Sequence, residues 1–278
     1  MKHIYLNLKR FDIPAEYDGI NNLASIDQWA ECIISSTQEV LKEIAIQNIE
    51  YTMFFPEAHL LSAMKAKKAD SPIIIGCQSV FREDTVKNGN IGAFTTNRTA
   101  KAVKAMGCES TLIGHCEERK DKAGILAEAN ITDTYAVNRL LNKEIKMAQE
   151  AGLKVLYCVG ESAEEQERWE VVLKEQLEVG LKGIDKENVV IGYEPVWAIG
   201  PGKVPPGKEY ITKIVRYIKE ITGGLEVVYG GGLKADNAKM LSEIRELDGG
   251  LIGLTRFQGD IGYYPEEYLE IIRLYANL

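Results

Sequence analysis

The chain has 278 residues, of which 45% are apolar and 27% charged, an ordinary balance for a globular protein with one large core. A net charge of −8 excludes the basic surface that nucleic acids and anionic membranes need, but a locally positive pocket for a small anion remains open. The five cysteines (Cys32, Cys77, Cys108, Cys116, Cys158) are odd in number and form no C-x-x-C pair, which points to reduced thiols and a cytoplasmic protein. The opening apolar run is too short for a signal peptide, and no stretch has the length of a membrane span.

In chain order, short β-branched or aromatic runs fall at Ile4–Leu6, Tyr51–Phe55, Ile73–Ile75, Thr111–Ile113, Val155–Val159, Val189–Tyr193, Val227–Tyr229 and Leu251–Ile252. Between them lie segments with helical spacing, at about Ile26–Gln47, Glu57–Lys67, Thr99–Met106, Val137–Ala148, Ala163–Val179, Lys208–Ile221, Asp236–Ile244 and Pro265–Ala276. Eight strands alternating with eight helices predict parallel βαβ units closing into an α/β (β/α)8 barrel, with residues 1–278 as a single domain. An open doubly wound sheet is the alternative, but no Gly-x-Gly-x-x-Gly follows Leu6. Two connections, Gln78 to Gly92 and Glu117 to Asp133, read as long loops, and loops of that length are usually functional or mobile.

Reactive groups of such a barrel sit at the C-terminal strand ends. The sixth strand ends in Gly192-Tyr193-Glu194-Pro195-Val196-Trp197-Ala198-Ile199-Gly200-Pro201-Gly202. Pro195 has no N–H and ends the ladder there, while Val196, Trp197 and Ile199 supply apolar surroundings that would make a carboxylate more basic. The plain alternative is a strand-end Glu that caps the next helix. The first strand ends in Asn7-Leu8-Lys9, with Asn7 and Lys9 on one face, and the fourth in Gly114-His115-Cys116-Glu117. Strand seven ends in Gly230-Gly231-Gly232 and strand eight in Gly253, where free backbone N–H groups can cradle a phosphate.

Asn7-x-Lys9, Ile113-Gly114-His115-x-Glu117, the Tyr193–Gly202 block and Tyr229-Gly230-Gly231 resemble the triosephosphate isomerase family. Gly92-Ala93-Phe94-Thr95, Cys158-x-Gly160-Glu161 and Asp248-Gly249-x-Leu251-x-Gly253 extend the likeness over nearly the whole chain in the family's order. The resemblance implies a cofactor-independent and metal-free ketose–aldose phosphate isomerase acting in the cytoplasm on a small phosphorylated substrate, and a homodimer in which Thr95 reaches the partner's Lys9 region. Glu194 becomes the base and His115 the neutral electrophile at a helix N-terminus, while Lys9 and Asn7 meet the enediolate and phosphate and Glu117 anchors the lysine. The family is itself a well-known illustration of a glutamate base paired with a neutral histidine in this way. Pro195, Val196, Trp197, Ala198, Ile199 and Gly202 form a lid, with Ile199 and Leu251 clamping Glu194. Gly200, Gly231, Gly232, Gly253, Leu254 and Arg256 are the substrate- and phosphate-binding candidates.

Gly232 stands where the family has a serine, Leu254 where it has a second glycine, Cys116 where it has a serine and Glu118 where an arginine is common. Leu8 replaces an aromatic, and Thr96-Asn97 replaces Gly-Glu in the loop that carries the family's subunit contact. These changes keep Lys9, His115 and Glu194 and alter the phosphate surroundings. They leave open an isomerase of a four-carbon ketose phosphate such as erythrulose phosphate, and a catalytically silent structural homologue. Other motifs give nothing: a Cys116 thiol beside His115 would point to the opposite face of a strand, and His115 with Glu117 lacks a third metal ligand. Gly200, Gly202 and Gly207 match no nucleotide loop.

Overall fold

The computed structural model describes residues 1–44, 48–200 and 202–278. Strands β1 (Lys2–Asn7), β2 (Ile49–Phe55), β3 (Ile73–Gln78), β4 (Ser110–Ile113), β5 (Lys154–Val159), β6 (Val189–Tyr193), β7 (Val227–Tyr229) and β8 (Gly249–Ile252) pair in parallel in that order. β8 pairs back onto β1, with His3 beside Gly249 and Leu6 beside Ile252, so the sheet closes into a barrel without edges.

Helices α1 (Trp29–Ile44), α2 (Leu60–Ala66), α3 (Ala100–Ala105), α4 (Cys116–Glu128), α5 (Thr134–Glu150), α6 (Trp169–Gly180), α7 (Lys208–Thr222), α8 (Ala238–Ser242) and α9 (Pro265–Ala276) cover the outside. Alternation along each strand sorts the core into two. Ile4, Leu6, Met53, Ile75, Tyr157 and Ile191 face the helices, in one cluster with Ile33, Leu141 and Ile214. Tyr5, Phe54, Leu112, Leu156, Cys158, Val228 and Leu251 fill the barrel interior. Each such side chain withdrawn from water contributes about 2 kcal/mol against chain entropy.

The same parity fixes the site. Asn7 continues the inward row of Tyr5, and Glu194 continues that of Val190 and Gly192. The expected helix over 26–47 begins at Trp29, since Ile26, Asp27 and Gln28 form a turn closed by Gln28 N–H on Ser25 O at 3.0 Å; its last positions, 45–47, lie outside the described residues. The stretch after Glu117, read above as a long loop, is the helix α4. It buries no residue, so no apolar period betrays it in the sequence. Among the described residues no helix is long and apolar enough to cross a membrane.

Candidate active site

The site is assembled where β1, β4 and β6 end. Glu194 is 1% exposed. Its Oε2 accepts the Cys116 N–H at 2.9 Å, the first donor of α4. Its Oε1 lies 3.1 Å from His115 Nε2 but without hydrogen-bond alignment, and it has no hydrogen-bond partner among the described residues. Burial raises the affinity of this carboxylate for a proton, outweighing His115, the Cys116 N–H and Lys9, which lower it.

His115 is the N-cap of α4, and its Nδ1 accepts the Glu117 N–H at 3.3 Å. With that lone pair engaged, the ring's proton sits on Nε2, the atom nearest Glu194. This geometry corrects the strand argument made for Cys116. β4 has already ended at Ile113, so alternation no longer separates neighbours, and Cys116 Sγ lies 3.6 Å from His115 Nδ1. His115, Cys116 and Glu194 thus bring ligand-type atoms within 4.8 Å of one another. The imidazole Nδ1 is occupied by the helix N–H, and burial, then Glu194, push the thiol up to about 12. The trio is therefore a poor fit to the deprotonated thiolate and free imidazole that a transition metal takes.

Lys9 holds a left-handed backbone, with φ at +41°. Its N–H donates to Asn7 Oδ1 at 3.1 Å, and its carbonyl accepts from Gln78 Nε2 at 3.0 Å. The same Gln78 nitrogen lies 3.3 Å from Asn7 Oδ1 and 3.3 Å from Phe54 O, so one amide ties β1, β2 and β3 together at the site. Lys9 Nζ reaches Glu117 Oε1 at 2.6 Å. Burial acts to raise the Glu117 carboxyl, yet the hydrogen bond and charge of Lys9 leave it lowered overall.

Beyond Glu194 the chain makes a short 3-10 turn over Val196–Ala198. Glu161 at the end of β5 anchors it: its Oε1 accepts from Trp197 Nε1 at 2.7 Å, Tyr193 OH at 2.9 Å and Tyr210 OH at 3.3 Å. Its carbonyl accepts the Val196 N–H at 3.1 Å. Pro195 and Ala198 are buried, Ile199 is half-buried, and Gly200 and Gly202 are exposed with φ of +118° and +74°; Pro201 lies outside the described residues. Leu251 belongs to the barrel interior.

At the ends of β7 and β8, the N–H groups of Gly231, Gly232 and Leu254 have no acceptor among the described residues. Gly253 lies beside them in sequence, half-buried. Arg256, the remaining phosphate candidate, already has partners. Its guanidinium pairs with Glu267 at 2.5 Å and stacks 3.7 Å over the Tyr264 ring. The strand-end pattern also missed Gln78, and Arg119, whose guanidinium donates to Gly114 O at 2.8 Å, Cys158 O at 2.8 Å and Asn138 Oδ1 at 2.8 Å, stitching the β4 and β5 ends together. A Gln at a strand end and an Arg four residues past His115 are the only traces that the sequence leaves of them. A cavity of about 970 Å³ opens beside Asn7, Lys9, His115 and Glu117, between Phe81 and Ile125.

Residues 27–273 match the family model for triosephosphate isomerase. The chain belongs to the triosephosphate isomerase family. Triosephosphate isomerase of Leptospira interrogans serovar Lai is 33% identical over 227 residues, covering 75% of this chain and 82% of that one. That of Geobacter metallireducens is 34% identical over 218 residues, covering 74% and 80%. The crystal structure of triosephosphate isomerase from Bartonella henselae superposes with a TM-score of 0.72 over 99% of this chain and 98% of the other. At 22% identity that likeness speaks for the barrel fold alone. As a member of the triosephosphate isomerase family, the chain is an isomerase.

Proposed function

We propose that residues 1–278 act as a single barrel domain that interconverts dihydroxyacetone phosphate and glyceraldehyde 3-phosphate. The observation that carries this reading is the buried, proton-hungry Glu194, with its Oε1 unpartnered and the Nε2 of His115 3.1 Å away. A hydroxy-ketone seated against both groups loses a carbon-bound proton to Glu194. His115 donates from Nε2 to the carbonyl oxygen as negative charge grows there. Lys9 offsets the charge of the enediolate and of the phosphate, Asn7 orients both, and Glu117 steers the lysine. Glu194 then returns a proton to the neighbouring carbon, and the oxygen-bound protons exchange by way of His115. Proton transfers and fixed charges suffice, so the reaction calls on no metal and no organic cofactor.

The reading extends to a cytoplasmic homodimer. Ile91 and Val86 on the connection after β3 are 88% and 62% exposed, apolar surface suited to a second copy. The phosphate falls to the N–H groups of Gly231, Gly232, Gly253 and Leu254, with Gly200 closing from the lid. Arg256 is left out of the phosphate site, because Glu267 and Tyr264 already hold it.

A second reading, a four-carbon ketose phosphate such as erythrulose phosphate, is favoured by the altered phosphate surroundings, with Gly232 and Leu254 at the ends of β7 and β8. Turnover measured side by side on dihydroxyacetone phosphate and erythrulose 4-phosphate decides between them. The expected outcome is a higher kcat/KM for the triose. The reverse ranking assigns the tetrose, and activity on neither turns the assay to other phosphorylated ketoses before the silent homologue.

A further inference from the structure

The phosphate cradle lacks the hydroxyl that a serine at position 232 would bring, and a lysine stem lies beside that place. Gly232 has φ at +95°, a conformation that side chains rarely adopt. A Cβ built there would meet one neighbour, the Cε of Lys234 at 3.5 Å. The lysine stem therefore runs in van der Waals contact beside the space in which the side chain of residue 232 would stand. Its backbone is pinned there: Lys234 N–H donates to Asn237 Oδ1 at 2.8 Å, and Asn237 Nδ2 returns a bond to Gly232 O at 2.9 Å. Asn237 is itself buried. The ammonium ends 4.3 Å from the centre of the Phe257 ring, on the connection after β8. Lys234 thus spans the two loops whose N–H groups form the cradle.

Three cations of the adjoining elements are engaged by carboxylates: Lys208 by Glu243, Lys219 by Asp248 and Arg256 by Glu267. Lys234 has no carboxylate partner among the described residues, only the face of an aromatic ring 42% exposed. A cation–π seat orients an ammonium without neutralising it.

We propose that Lys234 binds the phosphate of the substrate through its ammonium group, from its position beside Gly232. The inference rests on the reading of this site as one for a phosphate monoester. Lys234 supplies a full positive charge on a stem that is held at one side by Gly232 and at the other by Phe257, and a lysine serves phosphate as a point charge.

The test is Lys234→Met, which keeps an unbranched stem over Gly232 and removes the charge. The expected result is a KM for the phosphorylated substrate raised about tenfold, as for loss of one charge-assisted contact, with the change falling on KM rather than kcat. Lys234→Arg restores most of it. Inorganic phosphate, used as a probe, binds the free wild-type protein and raises its Tm, and this shift shrinks in Lys234→Met. An active Lys234→Met protein with unchanged KM and an unchanged phosphate-induced shift overturns the proposal and makes Lys234 a surface lysine resting on Phe257. Should no phosphorylated ketose be turned over, the isomerase reading fails, and the phosphate-induced shift alone still decides the role of Lys234.

Discussion

Glu194 is hemmed in by two residues that have no side chain. A methyl at Gly160 would stand 1.7 Å from the Glu194 carbonyl oxygen, and one at Gly230 would stand 2.7 Å from Glu194 Cγ. The second methyl touches the arm that carries the carboxylate and also stands 2.9 Å from the Tyr193 carbonyl oxygen, so Gly230→Ala pushes the Glu194 carboxylate aside and shifts the end of β6. A displacement near 1 Å at a reacting group costs about a hundredfold in rate. The expected outcome is a kcat lowered by about that factor with the far-ultraviolet dichroism unchanged, and wild-type kcat in this variant would contradict the packing described here. Residue by residue, the sequence exposed what alternation controls. Asn7 and Glu194 continue inward rows and were legible as site residues for that reason. Arg256 and Lys234 sit on loops, where no period says which way a side chain turns. The guanidinium that looked suited to phosphate is held by Glu267, while the lysine that reads as ordinary surface stands over Gly232.

At the scale of elements, the N-terminal mouth of the barrel is held by charge. His3 on β1 lies 3.3 Å from Glu50 on β2 and 2.8 Å from Glu226, just before β7, and stacks on Tyr5 at 5.7 Å. Burial acts to lower the proton affinity of His3, but the two carboxylates together leave it raised above the ordinary histidine value. A raised folded-state value means that the imidazolium is favoured by folding. Its contribution is fully present below the unfolded value of about 6.5 and is lost as pH rises through the folded one. Glu50 has the opposite sign. Burial opposes its charge, but His3 and Lys154 lower it to about 2, so its contribution is present above the ordinary glutamate range and lost as pH falls through that lowered value. Denaturant midpoints should therefore decline as pH rises above the ordinary histidine value of about 6.5, and His3→Gln should flatten that decline. A midpoint rising over the same interval, or equal slopes in the two proteins, would contradict the account. The elements themselves were legible wherever they bury a stripe. α5 shows Val137, Leu141, Ile145 and Ala148 at helical spacing, all buried. α4 buries none, and its formation follows from the cap supplied by His115 and the acidic Glu117 and Glu118 in its first turn, signals too local to outweigh a missing apolar period.

For the whole molecule, eight apolar runs separated by helical segments leave few ways to bury every strand on both faces, and closure into a barrel is the one that leaves no edge. The order of strand ends around that barrel then follows from chain order. That is why the strand pattern placed Lys9, His115 and Glu194, far apart in sequence, at the same end of the barrel, while their roles came from the family resemblance. Ties that run across the barrel mouth, such as Gln78 to Asn7 and Lys9 or Arg119 to Cys158, depend on side-chain reach and have no periodic signature. The central claim is that Glu194 is the base of a proton-transfer isomerisation, and it is tested most directly by running the reaction from dihydroxyacetone phosphate in deuterium oxide. The account predicts glyceraldehyde 3-phosphate carrying deuterium at C2, because a proton parked on a carboxylate exchanges with solvent before it returns. It also predicts that Glu194→Gln lowers kcat by about a thousandfold, the usual worth of a general base. A product free of deuterium at C2, together with an undiminished rate in Glu194→Gln, would contradict it.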